Sequence, residues 1–218
     1  MHINIYYILM YKDKILITDL DNTIISCDSF KLFLYHWFLK KPKIFFLSIH
    51  KLTLFFLLFK INFINRTELK KNFFVVIFMK TKKKEIQKFG NHFAKIIIKK
   101  YLKKEAKKLI NKKFKKKILI SASPDFYVKK IGILLGFDEV FSTKVILDKN
   151  NISIKGKNCY GEEKLKIIKK LKLNRKKTMF FTDSASDLPL IKYCFKSFIV
   201  PKSFIDKILL RNYEKVIW

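Results

Sequence analysis

The sequence predicts an α/β fold, a mostly parallel sheet in three layers, with a helical domain inserted into it. Short β-branched runs alternate with helix-patterned segments, and hydroxyl or acidic residues follow directly on several of those runs. Between the first run and the second, residues 29–116 break the alternation and read as helices only, too long for a simple crossover.

The first strand is predicted at 14–18 (KILIT), leading into Asp19-Leu20-Asp21-Asn22-Thr23. The second, 118–120, ends at Ser121-Ala122-Ser123-Pro124, where Ser123 reads as a helix N-cap, Pro124 as the first helical residue and Gly136 as the stop. Runs 145–147 and 152–154 flank a polar turn and predict a hairpin. Glu162 and Glu163 open a helix that carries Leu165, Ile168 and Leu171 on one face, with acids at the positive end of its dipole. A strand at 178–181, a short helix from about Asp187, a strand at 197–200 and a terminal helix after Ser203 complete the prediction. In such sheets ligands bind beyond the carboxyl ends of the strands.

The most apolar stretch of the insert is 44–59 (IFFLSIHKLTLFFLLF), with His50 and Lys51 near its middle. As a helix it spans about 24 Å, short of a hydrocarbon core of about 30 Å unless it extends through Ile64. It reads either as a buried helix or helical hairpin of the insert, or as an interfacial anchor flanked by Lys40, Lys41, Lys43 and Lys60.

The 218 residues carry 48 Lys and Arg against 17 Asp and Glu, a net charge of +31. Of the 48, only Arg66, Arg175 and Arg211 are Arg, and the residues in excess (Lys, Ile, Phe, Asn) are those that A/T-rich codons supply. A specific nucleic-acid reader would use Arg for bidentate contacts, so no specific nucleic-acid partner is expected. The field still draws the molecule toward anionic surfaces and substrates. Cys27, Cys159 and Cys194 are odd in number and widely spaced, which excludes a complete disulfide framework and points to a reducing, cytoplasmic setting, with the inner face of a membrane as the further option.

Against that basic background the acids stand out: of ten Asp, four fall in two compact groups, Asp19/Asp21 and Asp183/Asp187, each after an apolar run. In an extended segment Asp19 and Asp21 would point to one side with Leu20 facing the core. Two such carboxylates oppose joint ionisation unless a cation joins them, and oxygen ligands suit Mg²⁺, with Asp183 as a third donor. An EF-hand reading fails, because its loop needs Gly and Glu where this chain has Ile24 and Phe30.

The ordered set D-x-D-x-T at Asp19 to Thr23, Ser121 after a strand, Lys164 near a helix start and D-S-x-x-D at Asp183 to Asp187 resembles the four motifs of the haloacid dehalogenase superfamily of phosphotransferases. The position of the insertion resembles the phosphoserine-phosphatase-like branch. The resemblance implies a Rossmann-like core over 13–28 and 117–218 with 29–116 as a helical cap. It implies Asp19 as the nucleophile that forms an aspartyl-phosphate and Asp21 as general acid, then base. Asp19, the backbone carbonyl of Asp21 and Asp183 would hold Mg²⁺; Thr23, Ser121 and Lys164 would bind the phosphoryl oxygens; Asp187 would support Lys164 or the metal shell.

There are departures: Ala122-Ser123 follows Ser121 where that branch carries Gly-Gly, and Thr182 and Ser186 precede the two acids of the last motif. The segments 158–164 and 183–190 look more like relatives that include the C-type phosphatidylglycerophosphatases, which implies a membrane lipid phosphate as substrate and peripheral association with an anionic membrane. The competing expectations are a soluble phosphatase for a small metabolite such as phosphoserine, and a non-enzymatic basic module that binds membrane or nucleic acid.

Overall fold

The central strand, β1 (Ile15–Thr18), consists of four residues buried on both sides, as a strand covered by helices on each face must be. The computed structural model describes residues 11–78, 81–148, 152–200 and 214–215. Five helices follow β1: α1 (Ser29–Lys40), α2 (Pro42–Lys60), α3 (Arg66–Phe78), α4 (Lys83–Tyr101) and α5 (Lys104–Ile110). The chain then re-enters the sheet at β2 (Lys116–Pro124), followed by α6 (Asp125–Leu134), β3 (Glu139–Thr143), the antiparallel hairpin β4 (Val145–Leu147) and β5 (Ile152–Ile154), and α7 (Glu162–Lys170). β6 (Thr178–Thr182), α8 (Leu188–Tyr193), β7 (Lys196–Ile199) and β8 (Glu214–Lys215) complete the described elements. The main sheet runs β3-β2-β1-β6-β7-β8, with every pairing parallel.

This is the predicted α/β architecture with its helical insert. The side-chain period of two divides the strand residues between the two faces of the sheet. Ile15, Ile17, Ile118, Ile120 and Phe180 pack with Ile168 of α7 and with Leu190 and Ile191 of α8. On the other face Leu119 joins α6 and the insert in a larger aromatic core around Phe33, Trp37, Phe93 and Tyr127. Leu16, Met179 and Phe181 pack under Leu109 of α5.

Two local expectations are corrected. The strand through Ser121 does not stop there: after a bulge, Pro124 still pairs with Thr143, so Pro124 is the extended residue before α6 and not its first helical residue. Ser123 does not cap that helix, because its hydroxyl is taken by Asp21. The terminal helix predicted after Ser203 lies outside the described residues, apart from the two residues of β8.

The reading of the apolar stretch as a buried helix is corrected by α2, most of which lies outside the core. Proline at its first turn starts it, and Asn62, in the left-handed region at φ 59°, follows its end. Over its most apolar 18 residues the mean hydropathy is 1.5, yet only 11 % of them, Ser48 and Leu52, are buried. Phe46 and Leu47 are 73 % and 72 % exposed.

The insert meets the core through a close approach of α4 to α6. A Cβ on Gly90 would sit 2.5 Å from the backbone oxygen of Phe126, an atom that cannot swing aside. Gly90→Ala should therefore lower unfolding stability by about 1–3 kcal/mol in urea titrations, whereas an unchanged midpoint would mean that the two helices part freely.

Candidate active site

Register places the chemistry. Thr18 pairs with Leu119 on one side and Phe181 on the other, so Asp19, Ser121 and Asp183 all emerge at the carboxyl edge of three adjacent strands. The Asp19 amide extends that alignment by donating to the Phe181 carbonyl at 2.9 Å.

The residues after Asp19 are not extended. Leu20–Ile24 coil tightly, with Asn22 left-handed at φ 54°, a conformation that asparagine tolerates. Asp19 and Asp21 therefore do not share one face of a strand, although Leu20 between them is fully buried as predicted. Both still line one cavity of about 360 Å³, together with Lys164, Asp183 and Asp187. The coil is held from the insert: Lys103 Nζ donates to the Asn22 carbonyl at 2.5 Å and the Lys103 amide to that of Ile24 at 3.0 Å.

Lys164 is the third residue of α7, which Gly161 precedes as its N-cap. Gly161 has φ 54° and lies so near the Ser186 carbonyl that a Cβ would approach it to 3.3 Å. That contact brings the helix onto the 184–187 turn and aims the ammonium inward. Lys164 Nζ donates to Asp19 Oδ1 and to Asp187 Oδ2, both at 2.8 Å, and all three side chains are buried. Thr182 donates to the same Asp187 oxygen at 2.7 Å, while Asp187 Oδ1 has no hydrogen-bond partner.

The Asp21 carboxylate turns toward the insert. It accepts from the Ser29 amide at 2.8 Å, at the start of α1, and from the Ser123 hydroxyl at 2.6 Å. Burial raises the Asp21 carboxyl above its ordinary value, against the pull of those two serines. Burial also raises the Asp19 carboxyl, to about 8; Lys164 opposes this, and the carboxylates of Asp187, Asp183 and Asp21 add to it. Burial alone would lower the Lys164 ammonium, but Asp187 and Asp19 hold it above its ordinary value.

Thr23 and Ser121, expected to touch phosphoryl oxygens, are fully buried and are not among the residues lining the cavity. Thr23 donates to Asp183 Oδ1 at 3.3 Å, and Ser121 Oγ accepts the Ser123 amide at 3.1 Å. Both support the wall from behind, and Ala122 and Ser123 present the β2 terminus to the cavity instead.

The insert contributes groups that the sequence did not single out. Lys70 of α3 donates to the Ala122 carbonyl at 2.8 Å and to Asn158 Oδ1 at 3.2 Å, and burial lowers its ammonium to about 8. Arg66, one turn earlier, lies over the Tyr160 ring at 4.5 Å. Phe30, Phe56, Phe59 and Phe73 supply an apolar wall.

Among the described residues no three His, Cys, Asp or Glu side chains are gathered as a metal cluster. The Asp21 side chain is bonded to Ser29 and Ser123. Asp19 and Asp187 share the buried Lys164 ammonium, and burial first, then the nearby Asp187, Asp183 and Asp21 carboxylates, raise the Asp19 carboxyl. A donor set of the Asp19 and Asp183 carboxylates with a main-chain carbonyl fits Mg²⁺, which keeps several waters of its own.

The family model for haloacid dehalogenase-like hydrolases matches residues 16–192. No curated protein matches the chain. Similar solved structures include a protein of unknown function from Bordetella pertussis Tohama I, with TM-score 0.77, 14 % identity and coverage of 94 % of this chain and 99 % of that one. A phosphoserine phosphohydrolase-like protein from Francisella tularensis aligns with TM-score 0.62 and 17 % identity, over 93 % and 94 % of the two chains. A phosphoserine phosphatase in a phospho-aspartyl intermediate analogue aligns with TM-score 0.57 and 18 % identity, over 94 % and 93 %. At these identities the likeness is one of fold.

Because the Asp19 carboxyl lies higher folded than unfolded, its proton contributes stability that is present at low pH and lost as pH rises through about 8. A divalent cation bound at Asp19 would substitute for that proton. Added Mg²⁺ at roughly 100 times its Kd should stabilise the fold by about 2.7 kcal/mol, with a larger rise in Tm toward pH 8 than in acid. Asp183→Asn should remove most of the gain; equal Mg²⁺ stabilisation of the variant would exclude Asp183 as a ligand.

Proposed function

The chain belongs to the haloacid dehalogenase-like hydrolase family, and from that premise we propose that it hydrolyses a phosphomonoester through an aspartyl-phosphate formed on Asp19. The carrying observation is the buried Lys164 ammonium bonded to both Asp19 and Asp187 at the floor of the cavity. A fixed positive charge beside a carboxylate is what transfer of an anionic phosphoryl group needs, since that reaction depends mostly on positioning and charge neutralisation.

In the proposed reaction an Asp19 carboxylate oxygen attacks phosphorus, the bond from phosphorus to the ester oxygen breaks, and Asp21 protonates the departing oxygen. Asp21, now ionised, takes a proton from water as that water attacks the aspartyl-phosphate, releasing inorganic phosphate and restoring both carboxyl groups. The raised Asp21 carboxyl suits the first role, because a general acid must hold its proton near neutral pH. Lys164 binds the phosphoryl oxygens, and Asp187, braced by Thr182, fixes its direction. Thr23 orients Asp183. Mg²⁺ held by Asp19, Asp183 and the Asp21 carbonyl would supply further charge neutralisation.

The substrate has two readings. The likeness in fold to phosphoserine phosphatases supports a small soluble phosphomonoester such as phosphoserine, with Lys70 and Arg66 available to a second acidic group. The phenylalanine wall supports a phosphate carried on an apolar body, such as the lipid phosphatidylglycerophosphate. Turnover of each, the lipid in mixed micelles, separates them.

Purified protein should release phosphate from p-nitrophenyl phosphate with Mg²⁺. Asp19→Asn should abolish turnover, and Asp21→Asn should lower kcat by about 10²- to 10⁴-fold. Turnover that survives Asp19→Asn would refute the mechanism.

A further inference from the structure

We propose that the outer face of α2 docks on the interface of an anionic lipid bilayer, lying along it rather than crossing it. The proposal rests on the exposure of that face and is independent of the reaction; only its consequence for the substrate rests on the phosphatase reading.

Helical spacing puts Leu47, Leu54 and Ile61 on one line, seven residues apart, with Phe46 and Leu57 beside it. All five are exposed, from 53 % at Leu54 to 73 % at Phe46. Phe63, just beyond the helix, is 76 % exposed. An apolar surface of this extent on one element marks a binding site for another apolar phase.

Charge identifies that phase. From Ser29 to Thr67 the chain contains no Asp or Glu but has Lys31, Lys40, Lys41, Lys43, Lys51, Lys60 and Arg66. Lys43 and Lys60 stand at the two ends of the helix and Lys51 near its middle, all exposed. An apolar stripe with cations on its flanks complements acyl chains below anionic headgroups. A purely apolar protein partner would leave those cations unanswered.

Lying flat follows from the rest of the helix. His50 and Lys51 interrupt its middle, and Ser48 and Leu52 are buried against the protein, so a spanning orientation would strip α2 from its own packing. The opposite flank contributes Phe56 and Phe59 to the catalytic cavity. A docked α2 thus sets the apolar wall of that cavity next to the bilayer, where a phosphate ester with acyl chains would enter headgroup first.

The test is flotation of the purified full chain with vesicles of phosphatidylcholine, with and without phosphatidylglycerol. Wild-type protein should float with the phosphatidylglycerol vesicles, more weakly as salt rises. The triple variant Leu47→Gln, Leu54→Gln, Leu57→Gln keeps the net charge and should lose at least about tenfold in vesicle affinity. It should keep wild-type Tm and p-nitrophenyl phosphate turnover; the double variant Phe46→Gln, Leu57→Gln serves if the triple variant melts early. Asp19→Asn should float as wild type, so failure of the catalytic reading leaves this test intact. The proposal is overturned if wild type does not float. It is also overturned if the glutamine variants float equally well, which would assign binding to the general positive field. A wild-type dimer that the variants dissociate, with no vesicle binding, would assign the face to a second copy of the chain.

Discussion

The Lys164 ammonium, held at 2.8 Å from both Asp19 and Asp187, is the interaction on which the rest of the site depends. Three buried side chains from three separate segments meet there, and none could be buried alone, because an unpaired interior charge is costly. With Asp19 ionised, two carboxylates against one ammonium leave negative charge in excess, which Asp183 increases; together with burial this holds the Asp19 carboxyl above its ordinary value. That balance is the ground for the proposal that the pocket takes up a cation and, with it, a phosphoryl group. In a molecule of charge +31 this small acidic focus is the exception, and the surrounding field favours the approach of an anionic substrate.

A second constraint ties the insert to the Leu20–Ile24 coil. Asp21 is held by the first amide of α1 and by Ser123 at the end of β2. Lys103, between α4 and α5, grips the Asn22 and Ile24 carbonyls, and an isolated bridge joins Ile25 to Leu102. The same few residues thus carry the proposed general acid and both chain connections into and out of the insert. Any shift of the insert is felt at Asp21 without passing through the sheet.

α2 illustrates a limit of pattern reading. Its residues are apolar nearly all round, so periodicity does not single out a core face. Such a helix is consistent with deep burial or with exposure to another apolar phase, and composition is the same in both. The distinction lies in how much of it the neighbouring helices cover, which is a strip containing Ser48 and Leu52.

Much of the fold was legible because strands and helices here obey local rules: KILIT and TMFF are short and β-branched or aromatic, Gly136 marks a helix end, and acids follow strands. The four clustered aspartates and Lys164 were legible as an ordered set, since spacing along the chain survives folding. The seat of each side chain was not. Asn22's left-handed turn redirected Asp21, the bulge after Ser121 carried Pro124 back into the sheet, and Thr23 and Ser121 ended behind the wall they were expected to form. Lys70 and Arg66 reached the pocket through the packing of the insert, which no local signal encodes. By itself the sequence determined which groups are available and in what order; tertiary structure decided which of them face the cavity, because orientation is set by contacts between segments far apart in the chain.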